Sequence, residues 1–353
     1  MPVLRRIIIP VFTVVVILSV VVICTGESEL LEPVPGESDP TIISIDMDAD
    51  GNRLVAGTEG GGVYTWDIQT NMKKQVLPVS TLAYHDVLFS PDGKYLAAGT
   101  WDHNVYIVDM ASSTVVAHMK GSGHGPCRLS FSPDGSLLVS SNWERQVYLW
   151  HVPSGRRLHV MRGEEDDEIL DVAICDKCSC VAGLIKNERE GKENRYGLLR
   201  TWDIHTGRVK TEQHVQDVNA RHEFLVSIES IPETGMMAIG SDRPAVVLFN
   251  LKTKQVARAA GHVEITPFSL RTSMDGRILV ARDQDGASEV FDMHNGDKLA
   301  RFAHYGGSSA VAIDGHGRVV AYSLFYGDDA GNTATGVMVR DLRKDSIISI
   351  LEL

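Results

Sequence analysis

Two stretches of the chain align without a gap at an offset of 42 residues. His85 to Asp109 reads HDVLFSPDGKYLAAGTWDHNVYIVD, and Cys127 to His151 reads CRLSFSPDGSLLVSSNWERQVYLWH. A repeat of about 40–45 residues cannot bury its own apolar face and has to stack on copies of itself. In each copy an Asp-Gly pair separates two alternating apolar runs. That is a hairpin signal, because glycine reaches the positive φ of a tight turn. The chain is thereby restricted to an array of small antiparallel sheets, and at this period the array is a β-propeller.

The turn can be followed through the sequence. Asp50-Gly51, Asp92-Gly93 and Asp134-Gly135 are 42 residues apart, and the next step falls on Asp176-Lys177. Thr234-Gly235, Asp275-Gly276 and His316-Gly317 complete seven turns. A second marker follows each one, an aromatic or apolar strand end that usually precedes Asp: Trp66-Asp67, Val108-Asp109, Trp150-His151, Trp202-Asp203, Phe249-Asn250, Phe291-Asp292 and Arg340-Asp341. The expected fold is all-β, a seven-bladed propeller of four-stranded antiparallel blades. The blades fall at 41–79, 81–119, 124–161, 166–213, 221–258, 262–302 and 305–353. Ile347 to Leu353 supplies the outer strand of the last blade. The ring then closes by side-chain packing of blade seven on blade one, or by a clasp from Leu30 to Val34, a segment that Pro33 and Pro35 suit poorly to a ladder.

Ser-Pro-Asp-Gly, Trp-Asp and the occasional Gly-His (Gly123-His124, Gly261-His262) together resemble the WD40 repeat family over residues 41–353. The match is sharpest in repeats two and three and weakest in repeat seven, where Arg340 stands in the Trp place. Bacterial YVTN-type propellers share Ser-Pro-Asp-Gly but not Trp-Asp. The resemblance implies a non-enzymatic scaffold that presents a face to a peptide or protein.

Before the repeats, Arg5-Arg6 precede an uncharged apolar run of 18 residues, Ile7 to Cys24, interrupted by Pro10, Thr13 and Ser19. A secretory apolar core runs about 7–15 residues and a spanning helix about 17–25, so the run suits either a signal-anchor or a cleaved signal peptide over 1–26. Both readings carry residues 27–353 across the membrane. Residues 27–40 are acidic and contain Pro33, Pro35, Gly36 and Pro40, which makes them a short tether. A third reading keeps the chain in the cytoplasm and takes its apolar start as no true segment. The formal net charge of −12 argues against nucleic acid as a partner and favours a basic one.

On a propeller all turns between second and third strands emerge on one face. Here they carry Trp101, Asp102, Trp143, Glu144, Asp242, Arg243, Asp283 and the pair Phe325-Tyr326. Trp101 and Trp143 occupy equivalent places in adjacent blades and form an aromatic pair suited to anchoring a partner; the plainer alternative is packing onto their own blades. Glu164 to Glu168 puts five carboxylates beside that face, as a site for a basic peptide or as a solvated loop. Lys186 to Tyr196 is a hydrophilic insertion in blade four. Cys175 and Cys178 flank the expected two-residue turn at a spacing that suits a local disulfide in an oxidising compartment, with three small buried residues as the alternative. Zinc would need a second ligand pair, which the sequence lacks. No nucleophile, metal-protease, phosphate-loop or dinucleotide motif is present, and no cofactor is implied. An exported propeller enzyme or cofactor-dependent protein, lactonase- or quinoprotein-like, stays open as the alternative function, because such sites are assembled from distant loops.

Overall fold

The computed structural model describes residues 41–77, 83–121, 127–142, 145–165, 167–187, 197–215, 225–242, 244–259, 263–283, 286–302, 310–327, 333–344 and 346–353. They form seven four-stranded sheets, each in strict strand order. The blades run Ile42–Leu77, Tyr84–Lys120, Arg128–Arg162, Asp167–His214, Leu225–Ala259, Ser269–Phe302 and Val311–Glu352. Every innermost strand contacts the next, and the seventh contacts the first. The apolar run Ile7 to Cys24 and the tether lie outside the described residues, and among those residues no helix is long and apolar enough to cross a membrane.

The repeat is kept in register throughout. The third-strand markers pair across the sheet with equivalent second-strand residues: Leu54 with Trp66, Leu96 with Val108, Leu138 with Trp150, Val181 with Trp202, Met237 with Phe249, Leu279 with Phe291 and Val320 with Arg340. Arg340 replaces the lost ring by laying its guanidinium 5.4 Å from the centroid of Phe302 in blade six. In blade three the Trp150 indole N–H donates to Ser140 Oγ at 2.9 Å. In blade four the place of Ser140 is taken by Gly183, where a Cβ would come within 2.8 Å of the Trp202 ring. Space for the ring there removes its hydroxyl partner, and the Trp202 N–H has none among the described residues.

The Ser-Pro-Asp-Gly motif has a mechanical reason. Ser90 Oγ donates to Asp92 at 2.7 Å and accepts the Tyr95 N–H at 2.9 Å, while Gly93, at φ +65°, closes the turn onto the Ser90 carbonyl. Ser132 and Ser273 repeat the arrangement. The loop is four residues long, not the two that Asp-Gly alone suggests, because the turn is followed by a left-handed glycine.

All seven seams carry polar links between neighbouring blades. The N–H groups of Phe89, Leu129, Ile174 and Ile228 donate to Asp46, Asp86, Ser130 and Asp171 of the preceding blade at 2.7–3.3 Å. Thr272 donates to the Ser230 carbonyl at 3.1 Å, and Met274 N–H to Gly315 O at 3.0 Å joins blades six and seven. The closing seam is an apolar cluster that includes Ile42, Ile45, Ala312, Ala321, Val339 and Leu351. It is reinforced by the Gly315 N–H on Ala49 O and by Arg318 on Asp50 O. Arg318 is held by Asp314 as Arg53 is held by Asp48, and Arg53 reaches Gly93 O of blade two in the same way. Blade seven therefore packs on blade one, while Leu30 to Val34, the alternative clasp, lies outside the described residues.

Candidate functional site

Antiparallel blades place the turns between second and third strands at one end of the ring, here the upper face. The Ser-Pro-Asp-Gly hairpins lie at the other end, the lower face. Among the upper-face candidates, Trp101 is 38% exposed, and its ring lies 5.1 Å from that of His85. Asp102 is engaged within its own turn: it accepts from Thr100 Oγ1 and from Asn104 Nδ2. Burial works against its charge, but these bonds hold its pKa below the ordinary aspartate value. Asp283 accepts the Ala287 N–H at 2.8 Å and closes its turn likewise. Asp242 sits half-buried in the corresponding turn of blade five. Trp143, Glu144 and Arg243 lie outside the described residues. Phe325 and Tyr326 are not on a turn: they continue the second strand of blade seven, Val319–Gly327, paired with Thr335 and Ala334. Blade seven extends this hairpin beyond the position where the repeat period ends it.

The acidic run beside this face also has structural work. Asp167 is buried and ion-paired to Arg200, which is 2% exposed and also bonded to Glu212 at 2.7 Å. Asp167 Oδ2 accepts the Glu164 N–H at 2.6 Å, and Glu168 pairs with Lys186 at 2.8 Å. A buried guanidinium needs such partners. Asp166 and residues 188–196 of the insertion lie outside the described residues.

Cys175, Cys178 and Cys180 are free thiols. The turn is wider than expected: Asp176–Cys178 forms a 3-10 turn, Ser179 takes φ 47°, and Cys175 faces Cys180 across the ladder. Cys178 stands in the loop, its thiol 3.8 Å from Gly235 O of blade five. Burial pushes the Cys178 thiol up to about 11, away from the reactive thiolate.

The channel holds a second set of charged groups, distinct from those of the upper face. Residues of the innermost strands alternate between core and channel. They bring Asp46, Asp86, Arg128, Asp171, Glu229 and Arg271 around the axis, joined by Arg282 from a second strand. Asp86 accepts from Ser44 Oγ at 3.2 Å, Leu129 N–H at 3.0 Å and Arg271 at 3.2 Å. Arg271, from blade six, therefore spans the channel to blade two. Its other nitrogen lies 3.7 Å from Glu229. Burial alone would weaken its charge, but Asp86, Glu229, Asp46 and Asp171 hold it firmly protonated.

The carboxyls respond in the opposite sense. Burial raises Asp46 to about 7, although Arg271 and the Phe89 N–H favour its ionised form. Burial raises Glu229 to about 8, with Arg271 lowering it and Asp171, Asp46 and Asp86 adding to the rise. Asp171 is also raised by burial. Below Asp46, Glu229 and Arg271 the channel opens into a cavity of about 600 Å³ among the lower hairpins. Its wall includes Leu88, Phe89, Phe131, Ile174 and Met274, and Pro91, Pro133 and Pro232. A pocket of this size, with carboxyls poised near neutrality, has the attributes of a binding site.

A scan against family models matches two segments, residues 74–109 and 114–151, to the WD40 family, described as WD domain, G-beta repeat. The segments fall on blades one to three and include both copies of the doubled stretch, and all seven blades share their strand order and marker register. The chain is a WD40-repeat β-propeller. WD40 propellers are typically non-enzymatic scaffolds that bind proteins or peptides. No curated protein matches the chain. Within this WD40 ring the channel groups share a local pattern, a charge next to a core residue in a short apolar strand, as in Ile45-Asp46-Met47, Ile228-Glu229 and Leu270-Arg271-Thr272, which by itself does not tell channel from surface.

Proposed function

We propose that the protein is a non-enzymatic scaffold, exported and held at the membrane by its N-terminal apolar run, whose upper face captures a peptide or protein partner. The observation that carries this reading is Trp101, a large aromatic that stays 38% exposed at the rim of a closed WD40 ring, backed by the His85 ring. Burial lowers the His85 pKa to about 4, so near neutrality it backs Trp101 as an uncharged surface. Exposed aromatics on a rigid frame lose little conformational freedom on binding and commonly anchor an interface. Trp143, at the equivalent sequence position in repeat three, is the second anchor residue of this proposal. The apolar run after Arg5-Arg6 supports the tether, and the acidic balance supports a basic partner. The test is affinity capture from detergent extracts with the full chain and with Trp101→Ala plus Trp143→Ala. Loss of the captured partner with an unchanged melting temperature is expected; equal capture would remove the upper face. Recovery of the chain in the soluble cytosolic fraction would remove the tether.

A further inference from the structure

We propose that the lower mouth of the channel is a second binding site, separate from the upper face, that takes the side chain of a lysine or arginine presented by a partner protein. The charge balance points to a cation. Among the described residues the channel sets Asp46, Asp86, Asp171 and Glu229 against Arg128, Arg271 and Arg282, one positive charge short once all four carboxyls are ionised. The shortfall lies at the cavity end. Asp86 is fixed by Ser44, Arg271 and the Leu129 N–H, and Asp171 by the N–H groups of Val172 and Ile228, one on each oxygen. Glu229 accepts no hydrogen bond among the described residues and has Arg271 only at 3.7 Å, while its side chain keeps 23% of its surface open. Among the described residues Asp46 accepts the Phe89 N–H, and the adjoining Met47 N–H also favours its ionised form. Both carboxyls line the cavity.

The rim adds Asp92, Asp134 and Glu233, so the wall carries five carboxylates against the single guanidinium of Arg271. Lys94 and Lys177 engage two of them, and Asp134 is bonded in its own turn, which leaves the deep pair as the open one. Between that pair and the lower mouth the wall is apolar, with the three hairpin prolines and Met274, itself 39% exposed. An acidic floor under an apolar collar matches a long side chain with an alkyl stem and a charged tip. A metal ion fits less well: no three acidic, His or Cys groups converge closely enough to hold one among the described residues. The collar stands on exposed hairpins, so the side chain can enter while its own backbone rests on the rim.

The inference uses the scaffold reading only for the partner being a protein, and it is independent of Trp101. The test measures binding of labelled, otherwise uncharged seven-residue peptides whose central residue is Lys, Arg, Nε-acetyl-lysine or Glu, at pH 8.5, to the full chain in detergent. Lys and Arg peptides are expected to bind at least tenfold more tightly than the acetyl-lysine and Glu peptides. Asp46→Asn plus Glu229→Gln, which keeps the shape and the Phe89 bond, should remove that preference. Leu88→Lys, which places a tethered ammonium in the cavity, should block binding. Trp101→Ala should leave it unchanged. Equal affinity for all four peptides, no binding up to millimolar peptide, or a preference that survives both cavity variants would overturn the proposal. Loss of partner capture in the Trp101 variant alone bears only on the upper face.

Discussion

The two ends of the channel hold acidic side chains in opposite conditions. At the upper end Asp102, Asp167 and Asp283 are tied into turns or a buried ion pair. At the lower end Asp46 and Glu229 are buried at the inner end of a cavity, with fewer partners than their oxygens can take. An acid that is fully bonded stabilises its fold and has little left to offer a ligand. An acid that burial raises toward neutrality is stabilised by any cation that reaches it. Acidic residues are numerous at both ends, so composition does not distinguish them; hydrogen bonding does.

Substitution should separate the two groups. Asp167→Ala leaves Arg200 buried without its closest carboxylate and is expected to cost about 3–5 kcal/mol in chemical denaturation. A loss below about 1 kcal/mol would make Asp167 no different from the lower acids. Asp102→Ala removes the bonds that fix the upper turn of blade two, at a cost of about 1 kcal/mol on the same assay. Glu229→Gln, at the lower end, is expected to be neutral or stabilising near pH 8, since it supplies the uncharged form that burial favours. Trp101→Ala, at an exposed ring, should change stability by about 0.5 kcal/mol or less while abolishing partner capture.

The pH dependence sharpens the same contrast. Asp46 and Glu229 have folded pKa values above their unfolded ones, so the folded state holds more protons. Their contribution is complete in acid and is lost as pH rises through about 7 and 8. His85 acts in the other direction: its pKa is depressed to about 4, and stability falls as pH drops from the ordinary histidine value. Between about pH 7.5 and 8.5, where the unfolded histidine is already neutral, only the two carboxyls of this set titrate. The melting temperature should fall across that window and flatten in the Asp46→Asn, Glu229→Gln variant; an unchanged slope in the variant would assign the dependence to other groups.

The propeller was legible because its signals are local. Asp-Gly turns and aromatic strand ends repeat at fixed spacing, and the register of all seven markers follows from them. Departures occurred where a blade changes its own geometry: Tyr326 falls in an extended strand, and Cys175 faces Cys180 around a 3-10 turn. The lower site was not legible, because Asp46, Glu229 and Arg271 stand on blades one, five and six. A lone charge in a short strand reads as a surface residue until ring closure turns that strand toward the axis. Trp101 could be placed on a turn from sequence, whereas its packing against His85 depends on how the chain enters blade two.

The most direct test of the difference between the ends is a carbon-13 carboxyl titration of the full chain, with resonances assigned by Asp46→Asn, Glu229→Gln and Asp102→Asn. The expected midpoints are near 7 for Asp46 and near 8 for Glu229, with that of Asp102 below the ordinary aspartate value. Added Lys peptide should move the first two downward and leave Asp102 unmoved. Asp46 and Glu229 titrating near 4, as solvent-exposed carboxyls do, would contradict it.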